Sequence, residues 1–431
     1  MMKLRYLAVL SSLIAIASFL FYGCADRSLP SGDVYAVVID NPDDGDTVNN
    51  SRVFFDWETY PNSNGYRVLL WKDDSLIWDR IEFNSSVKSS IPLTDGNYRW
   101  CVGVRIGDGD FGHWSDTLSF TIDQRPFEIK GSESTRGCAH DVYPIGNYLY
   151  VADGEAGMTI IENSDISAPR FLANYDWDEQ YDARGIFADS TLNILAIADY
   201  RGTPPVYFFD ITDRESPTTG PSGIWARLCG DVDGFWMRDT LFIILADRDG
   251  GFYIYDLGAI DYVNQRGAPY MPPGFCSGVA AKDTLAAIAA EDAGIVIMNI
   301  ADPDNKTPIG FCDTPGQATR CKFYENYLYV ADGLSGLAVI DISDPTNPEL
   351  VYQSDTQVGD AQDIAIRSFD GGTYLALAIG SDGVLFYNID NLSSPELIGQ
   401  IESMYAYGVG ADSRAFYIAD RDWGIVSVAL E

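Results

Sequence analysis

Histidine and basic charge are what this 431-residue chain has least of: it holds two histidines, and 28 Lys+Arg stand against 63 Asp+Glu, for a formal net charge of −35. Each shortage closes off chemistry. His113 and His140 are the only imidazoles for zinc ligation or a Ser-His-Asp relay, and no HExxH, GxSxG or GxxxxGK motif occurs. Any histidine-dependent mechanism therefore rests on His140. The basic residues form no Lys/Arg-rich run, which excludes nucleic-acid binding by counterion release and attraction to anionic headgroups. What is present suits folded domains: 46% hydrophobic and 13% aromatic residues with 40 glycines, in a length that predicts two or three domains.

Residues 1–23 carry Lys3 and Arg5, then an apolar run from Leu7 to Tyr22. That run is short of the ~20 residues a spanning helix needs, so the segment reads as a signal peptide removed on export. Gly23-Cys24 resembles a bacterial lipobox, which implies that the Cys24 thiol is lipidated and becomes the new N-terminus. Leu20, Phe21 and Tyr22 depart from the usual pattern, and small Gly23 and Ala25 also fit ordinary cleavage after Ala25. Residues 24–33 are polar and suit a tether. The expectation is an exported, membrane-anchored lipoprotein of a bacterial envelope, at the outer membrane or cell surface.

Between residues 34 and 124 short alternating runs (VFFDWETY, YRVLLW, YRWCVGV, LSFTID) are separated by turn chemistry such as NPDDGDT, NSNG and TDGN. About seven strands at this spacing predict a two-sheet β-sandwich. The segment resembles a fibronectin type III domain: Trp57 stands at the core tryptophan of the second strand, Leu93 and Tyr98 match the tyrosine corner, and Trp114-Ser115 precedes the last strand. Cys101 is the only cysteine here, so no immunoglobulin-type disulfide forms. Trp57, Trp100 and Trp114 are expected to fill the core rather than present a sugar-stacking surface.

Residues 125–431 repeat. The unit is clearest at Tyr329–Val351 (YVADGLSGLAVIDISDPTNPELV) and from Tyr150 (YVADGEAGMTIIENSDISAP). Aligned on the motif alanine, the copies fall at Ala152, Ala198, Ala246, Ala290, Ala331, Ala378 and Ala419, with intervals of 46, 48, 44, 41, 47 and 41. Seven β-only copies of this period predict the blades of a propeller. The repeats resemble the LVIVD-repeat family of exported bacterial proteins, which implies a β-propeller and brings no catalytic residue with it. The seventh copy stops after its third strand, and RPFEIK from Arg125 looks like the missing fourth: Pro126 precedes Ala139 by 13 residues, as Pro348 precedes Ala361. The fold expected is all-β, a seven-bladed propeller closed by its N-terminal strand, behind a fibronectin-like sandwich.

The repeated aspartates Asp153, Asp199, Asp247, Asp332 and Asp420 are expected as turn formers. His140 aligns with Arg184, Gly230, Ser277, Thr319, Gln362 and Tyr407, a row that faces either the central channel or a neighbouring blade. The next row holds Asp141, Asp231 and Asp363, which either cap backbone or hold a divalent cation; no other cofactor is implied. Cys229 and Cys276 occupy an alanine slot and read as buried hydrophobes, although a bridge between them stays open. Loops between strands two and three share a face with the blade-to-blade connections and hold Trp177, Tyr200, Arg248 and Trp423, side chains used in protein or glycan recognition or as covers for blade edges. The function expected is therefore non-catalytic binding or scaffolding through that face, with His140 and Arg184 as further ligand candidates. The alternative is a carbohydrate-active hydrolase or lyase with paired loop carboxylates at ~5–9.5 Å.

Overall fold

The computed structural model describes residues 37–48, 53–89, 93, 96–107, 109–122, 127–176, 182–202, 204–220, 224, 226–259, 262–354, 359–369 and 372–430. Residues 1–23, read from the sequence as a signal peptide, Cys24 and Trp177 lie outside the described residues. The chain divides into two compact units between Gln124 and Arg125. Both are β-structure; a 3-10 turn at Pro303–Asn305 is the one helical element described, and no described helix is long and apolar enough to cross a membrane.

The first unit pairs a three-stranded sheet (Ile39–Asn41, Phe54–Trp57, Ser86–Lys88) with a larger one built around Ser63–Lys72, Ser75–Glu82, Gly96–Ile106 and Leu118–Ile122. Alternating inward residues fill the space between: Phe55, Trp57, Val68, Leu70, Trp100 and Phe120 are all buried, and Phe55 meets Trp100 edge-on at 4.7 Å. Trp57 and Trp100 are thus core residues. Trp114 instead lies flat over Gly103, where a Cβ would stand 2.8 Å from its ring atoms.

In the second unit the described residues form seven four-stranded sheets. Six follow chain order, starting at Asp141, Ala183, Cys229, Gly278, Arg320 and Asp363. The seventh orders Ala406–Ala411, Phe416–Asp420 and Gly424–Leu430, and takes Phe127–Glu133 as its outer strand. The first strand of each sheet packs on the first strand of the next, and that of the seventh packs on that of the first. Second strands are apolar on both faces, as in the fully buried ILAIAD of Ile194–Asp199, because each sheet is covered by a neighbour on either side. Where one inner strand meets another, side chains shrink: Ala139, Ala183, Cys229, Cys276, Ala318, Ala361 and Ala406 are all completely buried. Cys229 and Cys276 are free thiols.

Register corrects one alignment. Asp141 pairs with Ala152 and Arg320 with Ala331, but Gly278 pairs with Ala289, not Ala290. The fourth copy therefore carries Ala290 in the aspartate slot, and Glu291 in the slot that holds Gly154, Gly333 and Gly380.

The motif aspartates Asp153, Asp199, Asp247, Asp332 and Asp420 are wholly buried, and each accepts a hydrogen bond from an amide of the chain entering the same sheet. Asp199 Oδ1 accepts from the amides of Asp182, Arg201 and Gly202 at 3.1, 2.9 and 2.7 Å. Asp420 accepts from Tyr405, Asp422 and Trp423 in the same manner. The carboxylate satisfies amides that would otherwise be buried unpaired.

Candidate functional site

The site is built on two consecutive rows of inner-strand residues. In the deeper row, Asp141, Asp231 and Asp363 each accept a hydrogen bond from a backbone amide of the following sheet: Ile186 at 3.2 Å, Val279 at 2.9 Å and Val409 at 2.9 Å. The residue before each of those amides is Gly185, Gly278 or Gly408, and each is pressed against the sheet beyond; a Cβ on Gly408 would fall 2.3 Å from the His140 carbonyl oxygen. Aspartate and glycine thus alternate around the ring in three pairs. Seven sheets leave one place over, and Arg320 fills it.

The Arg320 guanidinium donates to the carbonyls of Ser277 and Gly230, both at 2.7 Å, and its Nε lies 3.5 Å from Asp231 Oδ1. Backbone capping by the three carboxylates and ion pairing with Arg320 are the roles the geometry shows. No group of three or more His, Cys, Asp or Glu among the described residues is arranged to hold a metal ion. Burial raises the Asp141 and Asp363 carboxyls above the ordinary range, with Arg320 opposing in both cases. Lys322, two residues further along the same strand, is exposed to the space that Tyr143 and Asp233 also border. Desolvation by the surrounding strands opposes its charge, yet Asp233, Asp363, Asp231 and Asp141 hold its ammonium well above the usual value.

This layer separates two cavities, both of which it lines. One, of about 420 Å³, lies toward the ends of the inner strands and is bordered by Tyr143, Asp233, Lys322, Tyr324, Arg367 and Asp412. The other, of about 260 Å³, lies at their beginnings, and all seven residues of the upper row border it: His140, Arg184, Gly230, Ser277, Thr319, Gln362 and Tyr407. Tyr200, Arg248 and Glu291 from loops complete its wall.

Within that pocket the ionic groups are matched. Asp182, buried, receives Arg184 Nε and Nη2 at 3.1 and 2.8 Å. Arg184 also lies over the Tyr200 ring at 3.9 Å, and Arg248 over Phe275 at 4.3 Å. Glu291 Oε1 accepts from Ser277 Oγ at 2.7 Å and from Arg248 Nε at 3.4 Å. His140 sits against Tyr407 with ring centroids 4.3 Å apart, and its Nε2 is 3.6 Å from Asp182 Oδ1, too far for a hydrogen bond. Burial drives its pKa down to about 4; Asp182 opposes this, while Arg184 and Arg320 add to it. The imidazole is therefore neutral at physiological pH.

Of the residues singled out from sequence, His140, Arg184, Tyr200 and Arg248 come together. Trp423 does not border this pocket: its amide is tied to Asp420 and its side chain is 43% exposed. Glu291 is hidden in the sequence by the one-residue slip in the fourth copy. The signal for Arg320 is that it is the one basic residue in an Asp/Gly row.

The LVIVD repeat matches residues 136–177 and 315–356, the first and fifth copies. The WD40 β-propeller domain of Doa1 superposes with a TM-score of 0.55 at 8% identity, over 71% of this chain and 97% of that one. The repeat region is a β-propeller. The computationally designed Ika8 protein aligns at a TM-score of 0.49 and 9% identity, over 70% of this chain and 98% of its own. No curated protein matches the chain. At these identities the likeness concerns the propeller fold alone, and the pocket has to be read from its own residues.

Proposed function

We propose that residues 125–431 form a seven-bladed propeller closed by its own first strand, within an exported, lipid-anchored protein, and that the chain binds a cell-surface ligand in the pocket between His140 and Arg248. The first unit is then a fibronectin type III-like spacer that lifts the propeller from the membrane. The observation that carries the binding reading is the convergence of one side chain or backbone position from each of seven sheets, with Tyr200, Arg248 and Glu291, on a single recess. Few polar groups placed around one concavity are how proteins orient a ligand. Binding is favoured over hydrolysis because Glu291, the loop carboxylate that borders the recess, and the buried Asp182 behind Arg184 are each engaged by an arginine. Acid–base work on a glycosidic bond needs two carboxyls facing each other with pKa values pushed apart.

A pocket-filling variant tests the site. Gln362→Trp puts an indole into the recess, and a ligand found by thermal shift of the full chain against glycans, peptides and small polar solutes should no longer raise the melting temperature of that variant. For the parent chain, ligand at about a hundredfold its Kd stabilises by about 2.7 kcal/mol. An equal shift in Gln362→Trp would move the site elsewhere.

Anchoring is tested separately through Cys24, since Gly23-Cys24 ends the apolar run. The Cys24→Ser chain is expected in the soluble fraction after cell breakage, with the parent in the membrane fraction. Equal membrane retention of the two would assign the anchor to an uncleaved signal.

A further inference from the structure

We infer that the pocket takes the terminal unit of a neutral saccharide, with Glu291 and Arg248 reading adjacent hydroxyls. This rests on the binding reading above and names its ligand class. The first argument is charge balance. Each arginine at the pocket has its own carboxylate, Arg184 with Asp182, Arg248 with Glu291 and Arg320 with Asp231, and the floor carboxylates Asp141 and Asp363 are turned to backbone amides. An anionic ligand meets no uncompensated cation, and a cationic one would have to displace an arginine. A hydroxyl both donates and accepts, and a guanidinium beside a carboxylate offers the complement to two hydroxyls on neighbouring carbons.

The second argument is Glu291 itself. Its φ is +48°, and the equivalent positions in other sheets, Gly154, Gly333 and Gly380, have φ of +55°, +54° and +62°. Glycine is what that left-handed backbone favours, and a side chain there is strained. The glutamate adds nothing to the turn that glycine lacks except a carboxylate at the pocket mouth, clamped by Ser277 and Arg248. An outlier of this kind at a cavity points toward function.

Shape and stacking narrow the class. About 260 Å³ is below the ~300–1,000 Å³ of sites for drug-sized ligands, so the recess holds one ring-sized group. A nucleobase or aromatic side chain would stack on an aromatic face, and at this recess Tyr200 carries the Arg184 guanidinium while Tyr407 packs on His140 and Tyr405. Arg248 and Glu291 also border a shallower groove of about 670 Å³ that exposes Met271 and Phe275. That pair borders both cavities, so the next sugar unit would lay its carbon-rich face along the groove.

Calorimetric titration of the full chain with a set of neutral oligosaccharides, each matched to a counterpart bearing a uronic acid at its terminal unit, tests this. At least one neutral member should bind, and its uronate counterpart at least tenfold more weakly, because it brings a second carboxylate against Glu291. Glu291→Gly should keep or raise the melting temperature while weakening the neutral ligand at least tenfold; Glu291→Gln, which keeps the side-chain shape, should fall between. Met271→Ala should weaken a disaccharide and leave its monosaccharide unchanged. Failure of every saccharide, uronates binding as well as neutral members, or full affinity in Glu291→Gly would each overturn the saccharide assignment. If a peptide or small anion is bound instead and Gln362→Trp abolishes it, the saccharide assignment falls and the pocket stands. A saccharide still bound by Gln362→Trp would remove the pocket itself.

Discussion

A chain beginning at Arg136 should aggregate or fail to show a cooperative melting transition, whereas one beginning at Arg125 should fold. The difference between them holds Phe127–Glu133, which pairs antiparallel with Gly424–Leu430 from Phe127↔Leu430 to Glu133↔Ile425. Without that strand the last sheet presents the open edge of a long apolar segment whose residues Gly424 to Ala429 are all buried, a template for pairing with other chains. Phe127 also closes a cluster, stacked on Phe386 at 4.2 Å and edge-on to Phe416 at 5.6 Å. Its position fastens the sixth sheet to the seventh. Phe127→Ala alone should cost about 3–5 kcal/mol, the usual range for removing a buried aromatic side chain. For a unit of this size that is a fall of roughly 5–8 °C in melting temperature. Scanning calorimetry of the two truncations and the point variant checks this; equal melting of the chains starting at Arg125 and Arg136 would sink the role given to the strand.

Much of this architecture can be read from turn chemistry. The Ala-Asp-Gly and Asp-Pro motifs recur because their backbone requirements recur, and Pro126 marks the strand that pairs with the C-terminal one by the same spacing to the next alanine. The fourth copy shows where this runs out. Its Ala289-Ala290-Glu291 offers two alanines for one slot, and only hydrogen-bond register decides between them. With the wrong choice Glu291 looks like a conservative stand-in for the motif aspartate; with the right one it is a charged side chain in a glycine position. The row containing His140 was undecidable for a different reason. Period-two alternation separates the two faces of a strand, but whether a given residue near the axis meets a neighbouring sheet or the channel depends on how the sheets are arranged. The arginine–aromatic pairs at the pocket join residues from separate loops, Arg248 with Phe275 among them, which no spacing along the chain announces.

Replacing Arg320 should have the largest pH-dependent effect in the molecule. Its guanidinium is enclosed by Asp231, Asp363 and Asp141, and satisfies the carbonyls of Gly230 and Ser277. Arg320→Met keeps much of the side-chain volume but leaves two buried carbonyls without their donor and the carboxylates with Lys322 as the remaining cation. Removing one partner of a buried ion pair costs about 3–5 kcal/mol. The sign of the pH dependence follows from the raised carboxyls. Asp141 and Asp363 have folded-state pKa values above their unfolded ones, so between the two values the folded chain binds more protons and stability falls as pH rises. Arg320 pulls both values down, so losing it extends that window upward. The deficit of Arg320→Met relative to the parent should therefore be greatest at neutral pH and shrink as the pH is lowered, because protonation relieves the stranded carboxylates. Arg320→Lys separates the contributions: it keeps the charge, loses the forked bonds to two carbonyls, and should show a smaller deficit that changes little with pH. Denaturant unfolding of the three chains across pH 5–8 measures this. A deficit in Arg320→Met that is constant over that range would mean that the guanidinium acts through its carbonyl bonds alone, and that the alternating Asp/Gly ring does not depend on the odd sheet for its charge balance.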